Sequence, residues 1–270
     1  MSFTPNPLNE LPGELLPAEP APPASGNRED PVWSGWDVAL LVVAFLVALF
    51  VTTWVAAAAA RRITGSTAII ANPVIEILVE AASQLVFLVF ALSLVRFHYG
   101  QQFWGAIKWN FPRSRWAGFL VIGFAMAMAL APFLSGLEKI VPSPRQLPID
   151  QMFSSTAAAY ALAIFGTFWA PFIEEMFFRG FLYPALARRL GTVFSVVLTA
   201  FAFAALHGAQ LAHAFAPLAV IFVVGLVLTT IRARTQSVGS STLVHMGYNG
   251  ALFLMSWYGS DHFRHLEKLT

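Results

Sequence analysis

VALLVVAFLVALFVTTWVAAAAA, residues 38–60, decides the class of fold. No charged side chain interrupts it, and Arg61 and Arg62 stop it. A helix rises 1.5 Å per residue and the hydrocarbon core of a bilayer is about 30 Å thick, so a run of this length crosses it. Outward from this segment, apolar runs recur at 69–94, 116–137, 157–187, 193–206, 214–231 and 243–257. They predict an all-α fold, a polytopic membrane helical bundle of about seven spans, six to eight as bounds. Composition agrees: 57% of the 270 residues are hydrophobic and 11% charged, where soluble domains carry about a quarter charged. The mean hydropathy is +0.67.

Residues 1–35 hold eight prolines and the acids Glu10, Glu14, Glu19, Glu29 and Asp30. Such a composition offers little to bury and predicts a disordered tail. Residues 36–270 then form one membrane domain. Within it, 103–116 mixes Phe103, Trp104, Trp109, Phe111 and Trp116 with Lys108, Arg113 and Arg115, as an interfacial helix or re-entrant elbow does. The net charge of +2 implies no nucleic-acid partner; the partner is the lipid bilayer. Lys and Arg counted by side predict a cytoplasmic N-terminus; the expected location is a bacterial plasma membrane, as a multi-pass protein. With no cysteine there is no disulfide, thiolate nucleophile or thiolate metal ligand.

Ionisable side chains inside spans are rare and mark functional sites. PFIEEMFFRG, residues 171–180, interrupts an apolar helix with two acids and a base. Glu175 and Arg179, four apart with the acid first, suit an ion pair along one helical face. Glu174 points about 100° away around the helix, lacks so direct a partner, and is the candidate general base. His207 closes its span after Phe203. His245 and Asn249 share one face of the last span. Singly, each group has a plainer explanation: a charge cluster holding helices together, or polar residues at helix contacts. Together they supply carboxylate, imidazole and amide from three helices, the inventory of a hydrolase that activates water and stabilises an oxyanion. The same atoms suit a divalent metal such as zinc, with His207, His245 and Glu174 as ligands. A metal-free water and a metal-bound one both remain open.

Glu174-Glu175-x-x-x-Arg179, Phe203-x-x-x-His207 and His245-x-x-x-Asn249 resemble the three ordered motifs of the CAAX-protease and bacteriocin-processing family, which includes the Ras-converting CAAX endopeptidase. The resemblance covers residues 156–257. It implies an intramembrane endopeptidase that cleaves a membrane-associated, in some members prenylated, peptide or protein in a water-filled cavity. Glu174 and His207 would activate the water, His245 and Asn249 would hold the oxyanion, and Glu175 with Arg179 would orient the site. The family is described both as metalloproteases and as glutamate-dependent proteases, so the resemblance leaves the metal open.

Neither a His-Glu-x-x-His pair nor a Gly-x-Ser-Gly nucleophile occurs, and Asp37, Asp150 and Asp261 lie at or beyond span ends. The alternative from another class is a non-catalytic immunity or scaffold protein using the same polar network structurally. Along the second span, Asn72, Glu76, Glu80 and Gln84 recur every four residues. This stripe is expected to be an amphipathic helix start emerging into the headgroups rather than the lining of a catalytic cavity.

Overall fold

The computed structural model describes residues 29–144 and 146–265; among them every regular element is helical. Helix α1, Gly35–Thr64, starts where the Ser34 N–H donates to Asp37 Oδ2 at 2.7 Å and ends at Gly65 in the left-handed region. Helix α2, Pro73–Ser93, starts at Asn72, whose side chain accepts from the Val74 N–H at 2.9 Å, and runs on through a wide π turn, Leu94–His98. Asn72 is thus a helix cap, a reason for its position independent of any polar stripe.

The segment expected at the interface forms the short helix α3, Phe103–Ala106, followed by an irregular elbow. Its Phe103 and Ile107 are buried, the Phe103 ring 6.1 Å from that of Phe181 and Ile107 against Gly180. Helix α4, Trp116–Glu138, then packs along α9, Val238–Gly259. A methyl group on Gly123 would collide with the Val244 carbonyl oxygen, and one on Gly247 with that of Leu120. The two glycines let the backbones touch, the small-residue packing that associates helices in lipid.

Between them the chain forms α5 (Thr156–Ile164), a π turn (Phe165–Trp169), α6 (Ala170–Glu175), a second π turn (Met176–Leu182) and α7 (Tyr183–Leu206). The two runs expected as separate spans, 157–187 and 193–206, are helical on either side of Gly191, whose φ of 74° and ψ of 171° are not helical. Helix α8, Phe215–Thr235, packs against α7 and precedes α9. Among the described residues five helices are long and apolar enough to cross a membrane, with Thr156–Leu206 as one of them and α9 not among them. That count takes Thr156–Leu206 as one although two helices meet within it at Gly191, and leaves out α9, which carries Ser240, Ser241, Thr242, His245 and Asn249. No eighth span exists at 103–116.

Residues 1–28 of the expected disordered tail lie outside the described residues. Its last part is ordered and docked, contrary to a tail reaching residue 35. Glu29 and Trp33 are buried, with Glu29 Oε1 accepting from Arg232 Nη1 at 2.8 Å and Oε2 from Lys108 Nζ at 2.8 Å. The Trp33 indole donates to the Phe181 carbonyl at 3.1 Å, and Arg188 donates to the carbonyls of Pro31 and Trp33. The short acidic and aromatic stretch finds partners on distant helices, which composition alone does not display.

Burial pushes the Glu29 carboxyl up, but Arg232 and Lys108 outweigh it and hold the group below the usual carboxylate range. A depressed folded-state pKa gives stability that is present above the unfolded pKa and lost as pH falls through the folded one. Glu29→Gln is therefore expected to melt below wild type at pH 7, the gap closing as pH falls below about 4. Melting midpoints of both proteins at pH 7 and pH 3 in one detergent check this.

Candidate active site

The acids at 174 and 175 stand on one turn of α6, between two π turns. Such insertions gather at functional sites because they redirect side chains without ending a helix. Pro171 has no N–H to offer the turn before it. In that turn, the Gly166 carbonyl instead accepts from Asn249 Nδ2 at 2.7 Å. Asn249 therefore ties α9 to the helix that carries the acids.

Glu175 and Arg179 form the pair their spacing predicts, Nη1 to Oε1 at 2.7 Å, with both side chains wholly buried. Arg179 spends its other donors on α8: Nε to Thr229 Oγ1 at 3.2 Å and Nη2 to the Gly225 carbonyl at 3.1 Å. Its guanidinium lies 4.6 Å from the centre of the Phe203 ring, in cation–π range. The charge is thus satisfied on every side, as a buried charge must be.

His245 stands between the two acids. Its Nδ1 lies 3.0 Å from Glu175 Oε1 and its Nε2 lies 3.8 Å from Glu174 Oε2. A carboxylate bound to arginine only accepts, so Nδ1 is the donor and Glu175 fixes the ring orientation. The second separation is too long for a direct hydrogen bond. Ser241, four residues before His245, donates to the Val238 carbonyl at 3.0 Å instead of forming a serine–histidine pair.

His207 follows α7, and its Nδ1 lies 2.8 Å from the Phe203 carbonyl oxygen. Because that oxygen cannot donate, a neutral His207 carries its proton on Nδ1 and keeps a lone pair on Nε2. The Phe203 ring neighbours both imidazoles, its centre 4.9 Å from that of His207 and 5.6 Å from that of His245.

A cavity of about 750 Å³ opens beside these residues, walled by α1, α2, α6 and α7. Glu174 and His207 both line it; Glu175, Arg179, His245 and Asn249 do not. The Glu174 side chain is 20% exposed where that of Glu175 is 0%. The six candidates thus divide into two groups on the cavity wall, three locked behind it and one bracing the backbone.

The stripe on α2 departs from expectation. Glu76, Glu80 and Gln84 line this cavity, across from residues of α1 and α6. Thr229 and Gly225, which hold Arg179, were not singled out. The signal for Thr229 was a hydroxyl within an apolar run.

A metal held by His207, His245 and Glu174 is not supported. Among the described residues no three His, Asp or Glu side chains converge on one point.

Residues 156–251 match the family model for type II CAAX prenyl endopeptidases, Rce1-like. No curated protein and no solved structure matches the chain. The matched stretch begins with α5 and takes in all three motifs. Several apolar helices and a family of membrane proteases make this an integral, multi-pass membrane protein of peptidase type. Residues 156–251, which carry Glu174-Glu175, His207 and His245-Asn249 in order, are similar to the Rce1-like type II CAAX prenyl endopeptidases.

Proposed function

We propose that the protein is a glutamate-dependent intramembrane endopeptidase acting on a membrane-associated, prenylated or otherwise hydrophobic, peptide. One observation carries the proposal: Glu174 and His207, from different helices, stand on the wall of a single cavity that is otherwise mainly apolar. A hydrophobic substrate segment fits such walls, and the two polar groups meet any water admitted with it.

The Glu174 carboxylate takes a proton from a water that His207 Nε2 helps to hold, and the oxygen adds to the scissile carbonyl carbon. The negative charge moves to the carbonyl oxygen. His245, oriented through Nδ1 by Glu175 and standing just behind the wall, is the oxyanion group that the family resemblance implies. Asn249 supports this arrangement through Gly166, and its second amide hydrogen is a further donor. Collapse breaks the C–N bond, and the proton held by Glu174 passes to the leaving amine, giving a carboxylic acid and an amine. Glu175 and Arg179 keep His245 in register. The Lys and Arg distribution supports a cytoplasmic N-terminus.

Purified wild type and Glu174→Gln, given lipidated and unlipidated peptides, test this. Cleavage by wild type alone, unaffected by chelator, is the expected result. Equal cleavage by both, or abolition by chelator, overturns the glutamate–water reading. Absence of cleavage with a destabilised Glu174→Gln protein supports the scaffold alternative.

A further inference from the structure

Besides Glu174, two acids face the cavity, both from α2. Glu76 is exposed at its edge and Glu80 is half-buried one turn deeper, followed by Gln84, which is 4% exposed. Gln84 Nε2 donates to Glu80 Oε1 at 3.1 Å and so orients that carboxylate. The amide oxygen of Gln84 is buried without a partner. An unpaired buried acceptor is uncommon in a folded protein and marks a place where a donor is missing.

The charge pattern points the same way. Elsewhere the buried carboxylates have basic partners: Glu175 has Arg179, and Glu29 has Arg232 and Lys108. Among the described residues Glu80 pairs with no Lys, Arg or His. The cavity wall carries Glu76, Glu80 and Glu174 but no Lys or Arg, and Glu80 repels Glu174 across it. Carboxylates in an apolar setting attract a cation more strongly than they do in water. A metal ion does not answer, since no three ligands converge. A long side chain with an apolar stem and a cationic tip does, because its methylenes suit the walls of Val79, Phe87 and Ile173 while its tip reaches Glu80.

We propose that Glu80, oriented by Gln84, is a specificity subsite that takes a lysine or arginine side chain of the substrate close to the bond presented to Glu174. The proposal rests on the endopeptidase reading for what lies in the cavity. Glu80 selects substrate; the proton transfers remain with Glu174.

The test is binding, so that it does not depend on turnover. Full-length protein in nanodiscs is titrated with fluorescent peptides carrying a non-hydrolysable hydroxyethylene unit. Lysine or norleucine, which has the same stem without the charge, is placed at each position flanking that unit. At one position the lysine peptide is expected to bind wild type about 10-fold tighter, a difference of about 1.4 kcal/mol. Glu80→Gln is expected to reduce the ratio to below about 2-fold by loosening the lysine peptide alone, and Glu80→Lys to reverse it in favour of a glutamate peptide. Glu76→Gln, at the edge, keeps the preference. Equal affinity for both peptides, no binding by either, or a lysine preference that survives Glu80→Gln overturns the subsite. Cleavage of the matching amide peptides is measured alongside. Lysine-selective binding without cleavage sinks the endopeptidase reading alone, and cleavage without selectivity sinks the subsite alone.

Discussion

The Glu175→Gln protein is expected to be less stable than wild type by about 3 to 5 kcal/mol, the usual effect of removing one partner from a buried ion pair. Arg179 is wholly buried, and after the change only neutral oxygens from Thr229 and Gly225 and the Phe203 ring remain against its charge. His245 also loses the carboxylate that orients its Nδ1. Denaturant or thermal unfolding of the purified proteins reads the effect. The double variant Glu175→Gln/Arg179→Met is expected to recover much of the loss, because no uncompensated charge is left inside. A single variant as stable as wild type would show that the pair does not fasten α6 to α8.

Its neighbour is expected to behave in the opposite way. Glu174→Gln should lower kcat/KM by about 10² to 10⁴, the range for loss of a positioned general base, while shifting stability by no more than about 0.5 kcal/mol. The side chain lines a cavity, keeps partial exposure and has no arginine or lysine bound to it, so an amide of equal size fits without stranding a charge. His207→Gln is expected to lose rate as well. Combined with Glu174→Gln it should cost little beyond the larger single effect, because the two groups serve one water. Additive losses would mean separate roles. A Glu174→Gln protein that melts early, or one that turns over normally, removes Glu174 from the position of base.

The division between the two acids was legible in the sequence because it depends only on helical periodicity: a spacing of four pairs Glu175 with Arg179 and turns Glu174 elsewhere. The membrane-bundle class was legible from the apolar runs for a similarly local reason. What the sequence hid depends on how helices rotate against one another. The same four-residue period placed Glu76, Glu80 and Gln84 on one face, but whether that face meets lipid headgroups or a cavity is set by α1 and α6. His245 was read as an oxyanion donor beside Asn249; its position between both acids follows from the packing of α9 against α6. Asn249 is committed to a turn that Pro171 leaves short of a donor, a backbone need visible only once the wide turn is known. Residues 29–34 looked like the end of a tail because their partners lie as far off as residue 232.

That last contact orders the assembly of the molecule in time. Glu29 and Arg232 are 203 residues apart, so a ribosome adding about 5 to 20 residues per second makes the acid roughly 10 to 40 s before its arginine. The partners of the segment before α1 arrive in turn: Lys108 is made 79 residues after Glu29, Arg188 157 residues after Pro31, and Arg232 last; until the first of them, Glu29 stays in water or at the headgroups, where an unpaired carboxylate is cheap. The arrival of α8 supplies the last of them, the buried Arg232. The first part of the described chain to be synthesised is therefore among the last to be fastened, and α1 with α2 must hold their place in the bilayer by their own packing until the fold is closed from its far end.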